Sequence, residues 1–454
     1  MYIFANNVRL CNDWATNVRV CVTDGHISEI DLETQALPND IRVDTLLPAI
    51  PNLHSHSFQR AMAGMTEYRA KNRESFWTWR DLMFSFLEHL MPEDIMAIAA
   101  MSFLEMQKAG YASVGEFHYI HHAQSGKPYA NPGELSHKIM EAAYITGIGL
   151  THLPVLYTYG SERRDTLVGG RLRFGNTLNQ FEELFSEIEN GLKNLYHDAR
   201  LGVAAHSLRA VSPDDINHLE SMFKKIPFHL HVSEQEKEVK DIQVAYGARP
   251  VEWLLKNADI NSRWCLIHAT HMTNWETQAL AKTGAVAGLC PITEANLGDG
   301  IFNGTKFLKA DGSFGVGSDS NVNISLAEEL RTLEYSQRLL HKERNMMVNG
   351  IGSIGESLYL GAASGGAKAL GRPCGTISVG RLADLVAIDS SDPSLCALSN
   401  DQLLDGFTFA AKDNVITDLW SSGRHQVRDG RHISEEYIKN LFRKTVSDLR
   451  SRLN

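Results

Sequence analysis

The chain has 454 residues, 43% hydrophobic and 22% charged, which is globular usage with length enough for a large core. Its net charge of −10, with no basic stripe or aromatic-basic platform, excludes a nucleic-acid partner, while a few arginines could still hold an anionic substrate. There is no apolar run of the ~18 residues a membrane span needs, no basic-then-apolar leader, and no Cys-x-x-Cys pair among the six cysteines, so a cytoplasmic protein with reduced thiols and no membrane partner is expected.

From the N-terminus, residues 1–48 read as short strands. Val18 to Val22 is β-rich, Asp24-Gly25 is a hairpin signal, and residues 26–30 alternate. Between residues 49 and 378 the rhythm changes to apolar strand-like runs separated by amphipathic helices. The runs are 46–56, 112–118, 149–157, 201–206, 228–234, 264–268, 285–291 and 314–319, with helices such as 92–108, 178–196, 237–256 and 326–340 between them. Eight strands with intervening helices predict a (β/α)8 TIM-like barrel, whose functional groups gather at the C-terminal ends of the strands. After residue 379 the β texture returns, with a second Asp-Gly turn at Asp429-Gly430 and a last helix near 434–453. Residues 1–48 and 379–454 are therefore expected to meet in one small β-sandwich domain.

Ligand-type residues close these runs. Run one ends in His54 and His56, whose side chains share a face because a strand has period 2. Run two ends in His118 and Tyr119, run four in His206, run five in His231 and Glu234, run six in His268 and run eight in Asp319. A single strand-end histidine is usually structural, but the joint pattern points to one mouth. His54, His56, His231 and Asp319 form an N3O donor set that suits Zn2+, with Fe2+ or Mn2+ as alternatives. A metal there would lower the pKa of a bound water to about 7. Glu234 is placed to shuttle a proton, and His268 to polarise or orient the water or the leaving group. No lysine closes run three or four, so the bridging ligand of two-metal barrels is missing and one divalent metal is expected.

The set His54-Ser55-His56, His231-Val232-Ser233-Glu234, His268-Ala269-Thr270 and Gly317-Ser318-Asp319-Ser320 resembles the amidohydrolase superfamily, specifically its deaminase branch. Residues 51–64, with the continuation Phe58-Gln59-Arg60, are similar to the members of that branch that deaminate formimidoylglutamate. The likeness runs nearly end to end. It departs at Pro48-Ala49, where the superfamily usually has Pro-Gly, a position that shapes a turn.

The resemblance implies a barrel of the metal-dependent hydrolase type. It implies the reaction of N-formimidoyl-L-glutamate with water to N-formyl-L-glutamate and ammonia, in histidine degradation. The catalytic residues would be Glu234, His268 and Asp319. Gln59, Arg80, Tyr119, His206 and Arg209 would hold the substrate, a dicarboxylic N-formimidoyl amino acid whose carboxylates call for arginines. A homodimer is expected, as barrel enzymes of this kind often are. His118 is expected to pack or to orient Tyr119, and His121 and His122 to be loop histidines. Residues 66–80 are long enough to close over the mouth. Two rival readings stay open: a deaminase of a nucleobase or nucleoside with the same metal set, and a metal-free scaffold.

Overall fold

The computed structural model describes residues 1–67 and 76–453. Most of the segment expected to close over the mouth, residues 68–75, lies outside the described residues.

Both chain ends build one mixed sheet. Its strands are β1 (Tyr2–Arg9), β2 (Trp14–Thr23), β3 (His26–Asp31), β4 (Ile41–Pro48) and, after the barrel, β14 (Leu385–Ile388), β15 (Ile416–Ser421), β16 (Arg424–Arg428) and β17 (Arg431–His432). They lie in the order β17-β16-β15-β14-β4-β1-β2-β3, so antiparallel pairing of β4 with β14 joins the two ends. Both Asp-Gly turns hold left-handed backbone, with φ 48° and 76° at Asp24-Gly25 and 47° and 72° at Asp429-Gly430. That is the conformation a tight hairpin requires. Ile3, Val18, Val20, Leu46, Leu385 and Trp420 fill a core of their own.

The barrel strands are β5 (Ile50–Ser55), β6 (Tyr111–His118), β7 (Gly149–Leu156), β8 (Arg200–Leu201), β9 (Val203–Ala205), β10 (Phe228–Val232), β11 (Trp264–His268), β12 (Val286–Leu289) and β13 (Ser313–Val316). They pair in parallel from β5 to β13. The last closes on the first at the C-terminal end, where Asp319 N donates to His54 O (3.0 Å) and His56 N donates to Asp319 O (2.9 Å). The first and last expected site segments are thus directly hydrogen-bonded.

The expected elements differ in three places. Run 46–56 is two strands in two sheets, divided at Ala49, whose N–H turns to Asp384 O (3.0 Å). Helix 237–256 is two helices, Glu236–Tyr246 and Pro250–Asn257, because Gly247 takes φ 74° as a C-cap and Pro250 restarts the chain. Helix 178–196 stops at Leu192. Helix Pro92–Lys108 stands as expected, and the last helix, Glu435–Leu453, is tied to it by Lys108 to Glu435 (2.9 Å) and Arg452 to Asp94 (2.8 Å). No described helix is long and apolar enough to cross a membrane.

Sheet and barrel are held together by a buried charge network. Arg372 donates to Asp198 Oδ2 (2.9 Å), Asp198 O (2.7 Å) and Asp384 Oδ2 (3.1 Å), and Arg424 reaches Asp198 Oδ1 (2.7 Å). Burial alone would raise the Asp198 carboxyl, but Arg424 and Arg372 beside it hold it down to about 2. Arg372→Met leaves two buried carboxylates short of a partner and is expected to cost about 3–5 kcal/mol of unfolding free energy in denaturant titration. The depressed pKa sets the pH window. The Asp198 contribution is complete above the unfolded carboxyl value of about 4 and is lost as the pH falls toward 2. The penalty in Arg372→Met should shrink over that range.

Candidate active site

The strand ends bring three imidazoles to one point. His54 and His56 leave β5 on the same side, with ring centroids 4.6 Å apart, and His231 comes across from β10. Their ligand nitrogens all lie within 4.8 Å of one another. His54 Nε2 is 3.1 Å from His231 Nε2, and Asp319 Oδ1 is 3.5 Å from His54 Nε2 and 3.4 Å from His56 Nε2. His56 donates its Nδ1–H to Phe117 O and His231 to His206 O, both at 3.0 Å. Their Nε2 lone pairs therefore face inward, toward the Asp319 carboxylate.

Burial pushes His54 down to about 3 and holds His56 and His231 below the ordinary imidazole range, so all three are neutral. Burial would raise Asp319, but the contact with His54 and the nearby His268 keep it below the usual carboxylate range. Neutral nitrogens and an ionised oxygen converging out of water match the donor chemistry of a divalent metal.

Local backbone makes this convergence possible. A side chain at Gly317 would sit 2.7 Å from His54 O, so only glycine lets the end of β13 pass this close to β5. Asn52 then stitches the two strands, donating to Ser318 Oγ (2.7 Å) and accepting from Ser318 N (3.1 Å). Asp319 (φ 44°) and His268 (φ 68°) take left-handed backbone at their strand ends, which re-aims both side chains.

A proton-handling group flanks the cluster. His268 Nε2 lies 3.8 Å from both Asp319 Oδ2 and Glu234 Oε1, and its Nδ1 is 3.2 Å from Glu294 Oε1. Burial would lower His268, but the Glu294, Glu234 and Asp319 carboxylates raise it to about 10. Glu234, 5% exposed, is raised by its burial. Its backbone is fixed by Glu238, which accepts from Ser233 N (3.1 Å) and Glu234 N (3.0 Å).

The cavity in front of the cluster is lined by Gln59, Arg80, Tyr119, His206 and Arg209. Gln59 Nε2 donates to Tyr119 Oη (2.9 Å), and Arg209 donates to Glu234 Oε2 (3.1 Å). Arg80, on the helix Phe76–Leu87, is half-buried and faces this cavity. Burial and the neighbouring Arg209 push its guanidinium down to about 10, which still leaves it charged at neutral pH. Burial likewise lowers Arg209, but Glu238 and Glu234 outweigh that and raise it. Two cations thus share one wall.

All eleven residues singled out from the sequence border this cavity or the cluster behind it. His118 faces away, with its ring 5.4 Å from His152. His121 and His122 do lie in a loop, but both are buried against main-chain oxygens, His121 Nε2 2.9 Å from Val155 O and His122 Nε2 2.7 Å from Gly175 O. Three features escaped the sequence reading. Glu294 is the partner of His268. Glu116 accepts from Ser57 N (2.8 Å) and Oγ (2.6 Å), anchoring the turn after His56. Phe76, Trp79, Phe84, Tyr157 and Phe174 form an aromatic wall. Only Glu294 had a signal, its position just past a strand end.

Comparison with known proteins follows the same lines. The amidohydrolase family matches residues 45–425. The formimidoylglutamate deiminase of Pseudomonas aeruginosa is 46% identical over 98% of this chain and 99% of its own length. A 5-methylthioadenosine/S-adenosylhomocysteine deaminase of Bacillus cereus is 25% identical over 90% of each chain. Among solved structures, an amidohydrolase from Brucella melitensis superposes with a TM-score of 0.95 at 44% identity, covering 99% of both chains. An adenosine deaminase from Xanthomonas campestris with bound zinc shares the fold, with a TM-score of 0.83 at 20% identity over 99% of this chain and 98% of its own.

Proposed function

Because this chain belongs to the amidohydrolase family, we propose that its cavity converts N-formimidoyl-L-glutamate and water into N-formyl-L-glutamate and ammonia. The chain is a hydrolase acting on a C–N bond, and the substrate assignment rests on the 46% identical deiminase. The observation that carries it is the pair Arg80 and Arg209 on one wall, facing a cluster of three imidazoles and a carboxylate. A dianion needs two cations, whereas a neutral flat base needs none.

His54, His56, His231 and Asp319 would hold one Zn2+. When bound there, it polarises the formimidoyl group and makes hydroxide available near neutral pH. The remaining work belongs to the side chains. Arg80 and Arg209 bind the two carboxylates, and Gln59, Tyr119 and His206 fix the chain between them. Asp319 Oδ2 accepts a proton from the attacking water. Glu234, raised by burial, delivers a proton from Oε1 to the departing nitrogen. His268 Nε2 keeps the water and the leaving group aligned. Arg209 joins the two halves of the site, since it contacts Glu234 as well as the cavity. The reaction would stand in histidine degradation. The six free thiols fit a reducing cytoplasm, and a homodimer would be read from size-exclusion mass.

The test is ammonia release from N-formimidoyl-L-glutamate by the zinc-loaded protein, beside guanine, cytosine and adenosine. Release from the formimidoyl acid alone is expected. Arg80→Met should raise KM about 10- to 100-fold, the loss of one charged hydrogen bond. An unchanged KM would remove Arg80 from the substrate site. Turnover of a base in place of the acid would overturn the substrate.

A further inference from the structure

Behind the cluster lies a second set of donors of different chemistry. His268, Cys290 and Glu294 place one ligand atom each within 4.8 Å of the others. All three are buried, at 1%, 0% and 5% exposure. They come from separate elements: the end of β11, the residue after β12, and the short helix Pro291–Leu297. Glu294 Oε1 is held toward the other two by His268 Nδ1 (3.2 Å) and Cys290 N (2.9 Å). Asp299, whose N–H donates to Glu294 O (2.9 Å), keeps a buried Oδ2 with no hydrogen-bond partner beside the triad.

We propose that His268 Nδ1, Cys290 Sγ and the Glu294 carboxylate form a second, inhibitory site for a thiophilic divalent cation. Imidazole, thiolate and carboxylate are the donor types that Zn2+ and Cd2+ take, and the sulfur separates this set from the N3O set in front of it. The cation takes the place of the thiol proton and of the proton between Nδ1 and Glu294. It also has an entry of its own. A second cavity, lined by Pro291, Glu294, Gly298, Ile301, Phe302 and Leu333, reaches Glu294 without passing the substrate mouth. A cation on Nδ1 ties the ring to Cys290 and Glu294, so that His268 Nε2 no longer keeps the water and the leaving group aligned as its role requires. This inhibitory consequence rests on the function proposed above, while the binding itself does not.

The probe is Cd2+ titrated into the zinc-loaded enzyme. A thiolate-to-cadmium charge-transfer band should grow to one equivalent, because the front site has no sulfur to give one. In parallel, kcat should fall by about 10²-fold, the scale of a misaligned reacting group, with KM unchanged. Cys290→Ala and the closer-sized Cys290→Ser should lose the band and keep full kcat in Cd2+. The triple variant Cys11→Ser, Cys21→Ser, Cys396→Ser should retain both effects. No band in the parent enzyme, or a band that persists in both Cys290 variants, overturns the site. A band without inhibition keeps the site and overturns the role given to His268.

Discussion

Glu234→Gln is expected to lower kcat by about 10²–10⁴-fold, the usual contribution of a positioned acid or base, while zinc content stays at one per chain. Glutamine keeps the size of the side chain and its contact distance to Arg209, but an amide cannot carry a proton to the departing nitrogen. Glu234 lines the cavity beside the three imidazoles and touches Arg209 and His268 without joining the donor set, so its replacement should leave that set intact. KM should change little, since Arg80 and Arg209, the proposed partners of the carboxylates, are untouched. Metal analysis together with steady-state kinetics tests this. Full turnover in Glu234→Gln would remove the residue from the mechanism, and loss of zinc would make it part of the metal site.

Asp319→Ala should abolish turnover to the assay background, a larger loss than the ~10⁴-fold ceiling of a proton-transfer group. Two things disappear together. The carboxylate oxygen 3.4–3.5 Å from His54 and His56 is gone, and so is the group proposed to accept the water proton. Zinc content should drop with it, as it should in His54→Ala. Turnover that recovers in Asp319→Ala at high Zn2+ would assign the residue to metal affinity alone. The main-chain bonds of residue 319 to His54 and His56 survive the substitution, so the barrel should stay closed and circular dichroism unchanged. A folded, metal-poor, inactive protein is therefore the expected outcome, distinct from the folded, metal-replete, inactive Glu234→Gln.

Much of the site was legible because strand chemistry is local. His54 and His56 share a face by period 2, and Glu234, His268 and Asp319 stand at or just past the ends of apolar runs. In a parallel barrel such ends converge whatever the intervening helices do, so linear position predicts proximity. Arg80 was placed only by family resemblance, since the Phe76–Leu87 helix offers no local sign of which face meets the cavity. Glu294 stayed hidden because a seven-residue helix carries too little periodicity to show where its side chains point. The break at Gly247-Ala248-Arg249-Pro250 was readable in its cap residues, yet the continuous amphipathic pattern masks it.

By itself, the sequence determined the alternation of strands and helices, the Asp-Gly turns of the terminal sheet and the residue types at the barrel mouth. Each of these follows from short-range rules of pattern, turn and cap. Tertiary structure alone decided that apolar run 46–56 serves two sheets, that Glu294 reaches His268, and that Arg372 joins Asp198 and Asp384 across 174 and 12 residues of chain. The physical reason is that burial and charge pairing act between groups close in space. Chain separation does not encode that closeness until the barrel has closed.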